Sequence, residues 1–295
     1  MLRPLLLTVL ASFNPVSPPA AETSAANQLL DELKLESVET ADGTRFYRTY
    51  VPQGTAPEGG FPLVVCFHGG GSSALGPATN FGLLEEAAAR GYMAVFPEGT
   101  NFAGETTFGA QFWNSSGTSN GTDDIGFFAS MIAELESDHP LDPSRVFLTG
   151  KSNGAMLAYT IGVRRPELVA GLAPVSGALL AEPPAVPEPL LGIHDLFDPI
   201  VQFEGLGPVP SQVETITHFL DVNSTSTAPA IAVATETYLF YSWNPSSTGA
   251  PTWYFLTPDG GHSWPGEDPA TAPPGQAVHS TVSASWLMLE FFSLL

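Results

Sequence analysis

Apolar residues gather along this chain in short runs, separated by polar stretches that hold most of its glycine and proline. The runs at 45–51, 63–67, 92–96, 145–148, 169–175, 190–194, 237–241 and 252–256 have the length and the β-branched or aromatic content of strands. Elsewhere apolar positions recur about every 3.6 residues, which predicts helices over 81–90, 125–136, 211–220 and 281–295, the first ending at Gly91. Several of the strands are apolar on both faces, as strands are when helices cover both sides of a parallel sheet. The fold class is therefore read as α/β, a mostly parallel central sheet with helices on both faces and no separate lid domain. Pro-, Gly- and Ser-rich stretches at 181–189, 205–211 and 265–275 are short and fall between elements, so they read as loops.

Ahead of the first strand the pattern changes. Residues 1–13 carry one positive charge, Arg3, and then an apolar stretch, and small residues follow around 18–21. This reads as a secretory signal peptide over 1–21. Residues 22–39 read as an N-terminal lead-in and 40–295 as one catalytic domain. No later apolar run approaches the ~18 residues of a membrane span, so the mature chain is expected to be secreted, extracellular or periplasmic, with no membrane partner.

Thirty acidic residues against nine basic ones give a formal charge of −21, which repels nucleic acid and anionic membranes. Nucleic acid is set aside as a partner. The single cysteine, Cys66, lies within an apolar run and reads as a small core residue. No cluster of His, Cys or carboxylates has ligand spacing, so no metal and no organic cofactor is expected.

The chemistry is carried by a GxSxG pattern, and the chain holds two copies, at 117–121 and 150–154. Context separates them. The second follows an apolar run and leads into the small-residue apolar stretch 155–161, which is a strand, a sharp turn and a helix, the setting of a nucleophile elbow at Ser152. The first has no strand before it and reads as a polar loop around Ser119.

A serine nucleophile needs a base, an acid to orient that base, and donors for the oxyanion; on a strand–elbow–helix scaffold they follow in the order nucleophile, acid, histidine. That order removes His68 and His139. His218 lies in a predicted helix and His194 at a strand end, which leaves His262, in the glycine-flanked stretch 260–264, ahead of His279. For the acid, Asp195 and Asp198 both follow the strand ending at His194, and residue type does not choose between them; the other would be an Asx-turn residue. The oxyanion donors should be the N–H of Asn153 and one from the loop 68–71, represented by Gly70.

Seven segments then carry a resemblance: FHGGGSS at 67–73, FPEGT at 96–100, TDDIGFF at 122–128, RVFLTGKSNGAML at 145–157, APVSG at 173–177, HDLFDPIVQFEG at 194–205 and GGHSWPG at 260–266. Together they resemble the secreted polyhydroxybutyrate depolymerase and feruloyl esterase family of α/β hydrolases, over roughly 40–295. The resemblance implies an α/β-hydrolase fold, Ser152 as nucleophile and His262 as base. It selects Asp198 as the acid, four residues after His194, and puts Asp195 where the family usually has glycine. Lys151 and Ala155 are further departures. Asp123 and Asp124 match a family pair whose expected role is to cap a helix and fix the oxyanion loop. Trp113 and Trp264 are candidate walls of an acyl pocket.

The resulting expectation is a secreted serine esterase acting through an acyl-enzyme on short hydroxyalkanoate oligoesters or aryl esters of the feruloyl or cinnamoyl type. A peptidase of the same fold and a non-catalytic polymer-binding protein are the alternatives, and the oligomeric state is open. With no tethered module and no apolar docking patch legible in the sequence, soluble esters are expected to be cleaved faster than solid polymer.

Overall fold

The computed structural model describes residues 22–101, 104, 105, 110–118, 121–224, 226–270 and 277–295, so the leader over 1–21 and Ser119 lie outside the described residues. In chain order the elements are α1 (Glu22–Glu32), β1 (Lys34–Thr40), β2 (Gly43–Tyr50), β3 (Phe61–Phe67), α2 (Leu75–Asn80), α3 (Leu83–Arg90), β4 (Met93–Pro97), α4 (Asp124–Asp138), β5 (Leu141–Lys151), α5 (Asn153–Arg164), β6 (Gly171–Val175), β7 (Leu190–Asp195), α6 (Gln212–Asn223), β8 (Ile231–Ala234), β9 (Leu239–Trp243), β10 (Thr252–Thr257) and α7 (Ala284–Phe292). The strands form one ten-stranded sheet in the order β1-β2-β4-β3-β5-β6-β7-β10-β9-β8. From β4 across to β10 every neighbouring pair is parallel, and the outer strands on both sides are antiparallel.

The parallel strands are apolar on both faces because both faces are covered, and side chains alternate between them. On β3, Leu63, Val65 and Phe67 join Phe127 and Met131 of α4 and Leu157 of α5 in one core. Val64 and Cys66 point the other way and join Leu84 of α3 with Leu287 and Phe291 of α7. Cys66 is fully buried there, and burial pushes its thiol up.

Four elements differ from the pattern read in the sequence, the short helix α2 among them. The stretch 22–39, expected as a lead-in, is α1 and most of β1, and β1 pairs along its length with β2, so the sheet begins there. β8 was not expected at all. β1 and β8 are edge strands whose side chains are only half-covered, and an edge strand lacks the apolar run that marks a buried one.

The described residues include no helix long and apolar enough to cross a membrane, and no separate lid domain. The carboxyl ends of β3, β5, β6, β7 and β10 lie along one rim of the parallel sheet, where loops from distant parts of the sequence can converge.

Candidate active site

At the end of β5 the chain turns into α5 through Ser152, which takes φ 57° and ψ −120°. A positive φ on a residue with a Cβ is strained, by roughly 1–3 kcal/mol, and holds only where the surroundings impose it. Here Ser152 N–H donates to Val175 O at 2.9 Å, and the flanking glycines let the backbones close in. A Cβ on Gly150 would lie 2.7 Å from Phe67 O, and one on Gly154 would collide with the carbonyl oxygens of Phe67 and His68. Ser152 thus stands at the N-terminus of α5, where the first N–H groups, Asn153 among them, have no intrahelical acceptor and carry the positive end of the helix dipole.

The other side chains come from the neighbouring strand ends. β7 and β10 run parallel, with Asp195 opposite Thr257, so the loops after them leave the sheet together. Asp198 sits in the first loop, buried, with Oδ1 accepting the N–H of Ile200 at 2.8 Å and of Val201 at 2.9 Å. Its Oδ2 accepts His262 Nδ1 at 2.8 Å. Burial pushes the Asp198 carboxyl up, but the hydrogen bond and charge of His262 and the Ile200 N–H outweigh it and hold the group below its ordinary range. With Nδ1 engaged, His262 has Nε2 free for a proton transfer.

Asp195 takes no part in that pair. Its Oδ1 accepts Phe197 N–H at 2.8 Å in an Asx turn, and its Oδ2 accepts Thr257 Oγ1 at 2.7 Å and Gly260 N–H at 2.6 Å. It fastens the loop that carries His262 to the end of β7, a link that sequence reasoning did not find because nothing in residue spacing pairs 195 with 260. Two further contacts fasten that loop to the end of β6 and to the serine turn. Ser176, with φ 52°, donates from Oγ to Ser263 O at 3.4 Å, and Lys151 Nζ lies 3.3 Å from Glu267 Oε1, which also accepts Trp264 N–H at 3.0 Å. Lys151 is therefore largely buried and ion-paired with Glu267.

The loop 68–71 lies against the same turn. A Cβ on Gly70 would be 3.6 Å from Asn153 Cβ and 3.2 Å from the Phe112 ring, and among the described residues the Gly70 N–H makes no hydrogen bond. Its position is set from below by His68, whose Nε2 accepts Gly99 N–H at 3.0 Å while Nδ1 lies 2.8 Å from Gly69 O. Burial, with Arg45 nearby, lowers His68 to about 4, so the ring is neutral with its proton on Nδ1. The Asn153 side chain bridges the opposite way: Oδ1 accepts Trp113 N–H at 2.7 Å, and Nδ2 donates to Trp113 O at 3.1 Å and Ser115 Oγ at 2.9 Å. Asp123 caps α4 by accepting Gly126 N–H, and buried Asp124 accepts Arg45 Nη2 at 2.8 Å and Asn114 N–H at 2.6 Å. The acidic pair caps a helix and ties down the loop behind Gly70, as expected.

Both tryptophans require correction. Trp264 has no exposed surface; it stacks on Phe81 with centroids 4.2 Å apart and donates from Nε1 to Ser285 Oγ at 3.1 Å. Trp113 is buried edge-on against Phe67 and donates from Nε1 to His68 O at 2.9 Å. Each ring is buried and supports a neighbouring loop. The second-choice base, His279, is buried and held by Asp259 at 2.7 Å. Among the described residues, His262 is hydrogen-bonded to Asp198, and the loop of Gly69 and Gly70 lies against Ser152 and Asn153, while no hydrogen bond joins Ser152 Oγ to His262.

Comparison with known proteins is consistent with this geometry. Residues 45–237 match the model of the family described as esterase PHB depolymerase. A Nocardia uniformis subsp. tsuyamanensis protein provisionally assigned as an esterase, NocK, is 30% identical over 234 residues, which are 70% of this chain and 64% of NocK. An acetylxylan esterase A of Talaromyces purpureogenus is 27% identical over 143 residues, 47% of this chain and 35% of that protein. The chain thus spans less than two thirds of the length of these relatives. Among solved structures, an acetyl xylan esterase from Aspergillus awamori superposes with a TM-score of 0.63 at 17% identity, covering 89% of this chain and all of that one. The fold is that of the α/β hydrolases.

Proposed function

The chain belongs to the esterase PHB depolymerase family, and on that premise we propose that it is a serine carboxylic-ester hydrolase that works through an acyl-enzyme on Ser152. The observation that carries this reading is the 2.8 Å hydrogen bond between His262 Nδ1 and buried Asp198, in loops tied to the strained serine turn. His262 Nε2 removes the Ser152 hydroxyl proton as Oγ attacks the ester carbonyl, and Asp198 holds the ring and stabilises the imidazolium that forms. Negative charge on the carbonyl oxygen is received by the N–H groups of Asn153 and Gly70, aided by the α5 dipole. The intermediate collapses, the alcohol leaves with the proton from His262, and water repeats the sequence to release the acid. Every proton is carried by His262, so the step needs no cofactor.

The substrates are short hydroxyalkanoate oligoesters, in keeping with the family's description, or aryl esters of the feruloyl type. Residues 1–21 act as the secretion signal. The test is an ester panel running from p-nitrophenyl acetate through methyl ferulate to hydroxybutyrate trimer, with burst kinetics on the first. A burst stoichiometric with protein, followed by steady turnover on at least one natural-type ester, is expected; no turnover on any ester would overturn the reading.

A further inference from the structure

Exposed apolar surface is distributed unevenly on this molecule. Among the described residues the four most exposed large apolar side chains are Phe197, at 73%, Ile200, Leu206 and Val213, and all of them fall within 197–213. Leaving such groups in water forgoes about 25 cal/mol for each Å² that burial would remove, and scattered single residues need no explanation, but a cluster does. This cluster is attached to the candidate site. Phe197 and Ile200 flank Asp198, and their N–H groups are the ones that Asp195 and Asp198 hold. Leu206 and Val209 exchange hydrogen bonds across a tight hairpin, and Val209 packs with Val201 and Ala178 against Met156, four residues beyond Ser152 on α5.

Glu204, in the loop, and Glu214, one residue beyond Val213, are the acidic groups beside this surface, and Asp198 is buried beneath it. Exposed apolar side chains that flank the Asp198 loop are complementary to an uncharged apolar chain, and the two carboxylates beside them repel an anionic one. We propose that the 197–213 surface binds the uncharged apolar chain of the ester beyond its scissile bond, and makes the enzyme selective for longer aliphatic chains over acetyl esters. The proposal rests on the esterase reading above. It also supplies the docking patch that could not be read from the sequence, because an apolar residue in a loop gives no sign of which way it points.

The experiment measures kcat/KM over an acyl series, p-nitrophenyl acetate to octanoate, and an alcohol series, ethyl to octyl acetate. The wild type should rise about tenfold or more from two to eight carbons in one series, which is roughly the worth of two buried methylenes. A Phe197→Ser/Ile200→Ser double variant should flatten that rise to within about threefold, and Leu206→Ser, on the hairpin, should reduce it in part. Titration of Ser152 with a fluorophosphonate counts the folded sites in each preparation. A flat wild-type profile, or a rise that survives in the Leu206→Ser and the double variants alike, would overturn the proposal. So would a wild-type dimer that the double variant converts to monomer with the chain-length profile unchanged. Absence of turnover on every ester would instead count against the esterase reading itself.

Discussion

The same five-residue pattern occurs at 150–154 and at 117–121, and the two regions differ in what surrounds it. At 150–154 the glycines face backbone: Gly150 and Gly154 lie against the carbonyls of Phe67 and His68, and the serine between them is forced to φ 57°. At 117–121 the glycines face side chains, Arg164 at Gly117 and Asn114 at Gly121, and Asn114 Nδ2 donates to Thr118 O and Thr122 O. The first region is squeezed between strand and helix, so its conformation is imposed; the two glycines of the second meet side chains, which can move aside. The turn at Ser152 is distinguished by the crowding of main chain around it, and the letters of the motif do not report that crowding.

Removal of the central serine should separate the regions most. Ser152→Ala is expected to lower kcat by about 10⁵- to 10⁶-fold, measured on p-nitrophenyl acetate at saturating concentration, whereas Ser119→Ala should change it by less than about threefold. A similar split should divide the two aspartates of the β7 loop. Asp198→Asn leaves His262 without a charged partner and should cost about 10⁴-fold in kcat, while Asp195→Asn, which loosens the His262 loop without touching the ring, should cost about tenfold. Equal losses at both positions would mean that Asp195 shares the orienting role.

The glycines test the crowding itself. Gly154→Ala should lower stability by about 3 kcal/mol or more, because two carbonyls must move, and Gly121→Ala by about 1 kcal/mol, because only the Asn114 side chain must. Urea midpoints at constant m would check both.

Acid should loosen the region behind Gly70 ahead of the sheet. Burial lowers both His68 and His194 from 6.5 to about 4. The unfolded chain takes up protons as pH falls through 6.5 while the folded rings stay neutral, so their contribution is full above 6.5 and is lost towards pH 4, at up to about 3 kcal/mol each. Asp198, held low, loses its contribution at still lower pH. Glu188 works in the opposite sense: burial pushes it up to about 9 from 4.5, so it destabilises as pH rises through that interval. Thermal melting against pH should show the acid limb, and Glu188→Gln should raise Tm at pH 8 more than at pH 5.

Much of this was legible in the sequence for physical reasons. Strands buried on both faces announce themselves as unbroken apolar runs, and the strand–turn–helix around Ser152 was read from its context. The pairing of His262 with Asp198 is the one the resemblance implied. The edge strands β1 and β8 were not legible, since half-exposed strands lack that run. Nor was the support of the site. Asp195 to Gly260, Lys151 to Glu267 and Asn153 to Trp113 are contacts across 65, 116 and 40 positions, and no local spacing encodes them. Trp264 shows the opposite error: its nearness to His262 in sequence suggested a pocket wall, yet its ring turns inward to stack on Phe81.

The most direct test of the central claim is to label the purified protein with a fluorophosphonate and map the modified peptide by mass spectrometry. The account predicts one phosphonyl group per chain, on Ser152, with labelling abolished in Ser152→Ala and retained in Ser119→Ala. A phosphonyl group on Ser119, or undiminished labelling of Ser152→Ala, would contradict it.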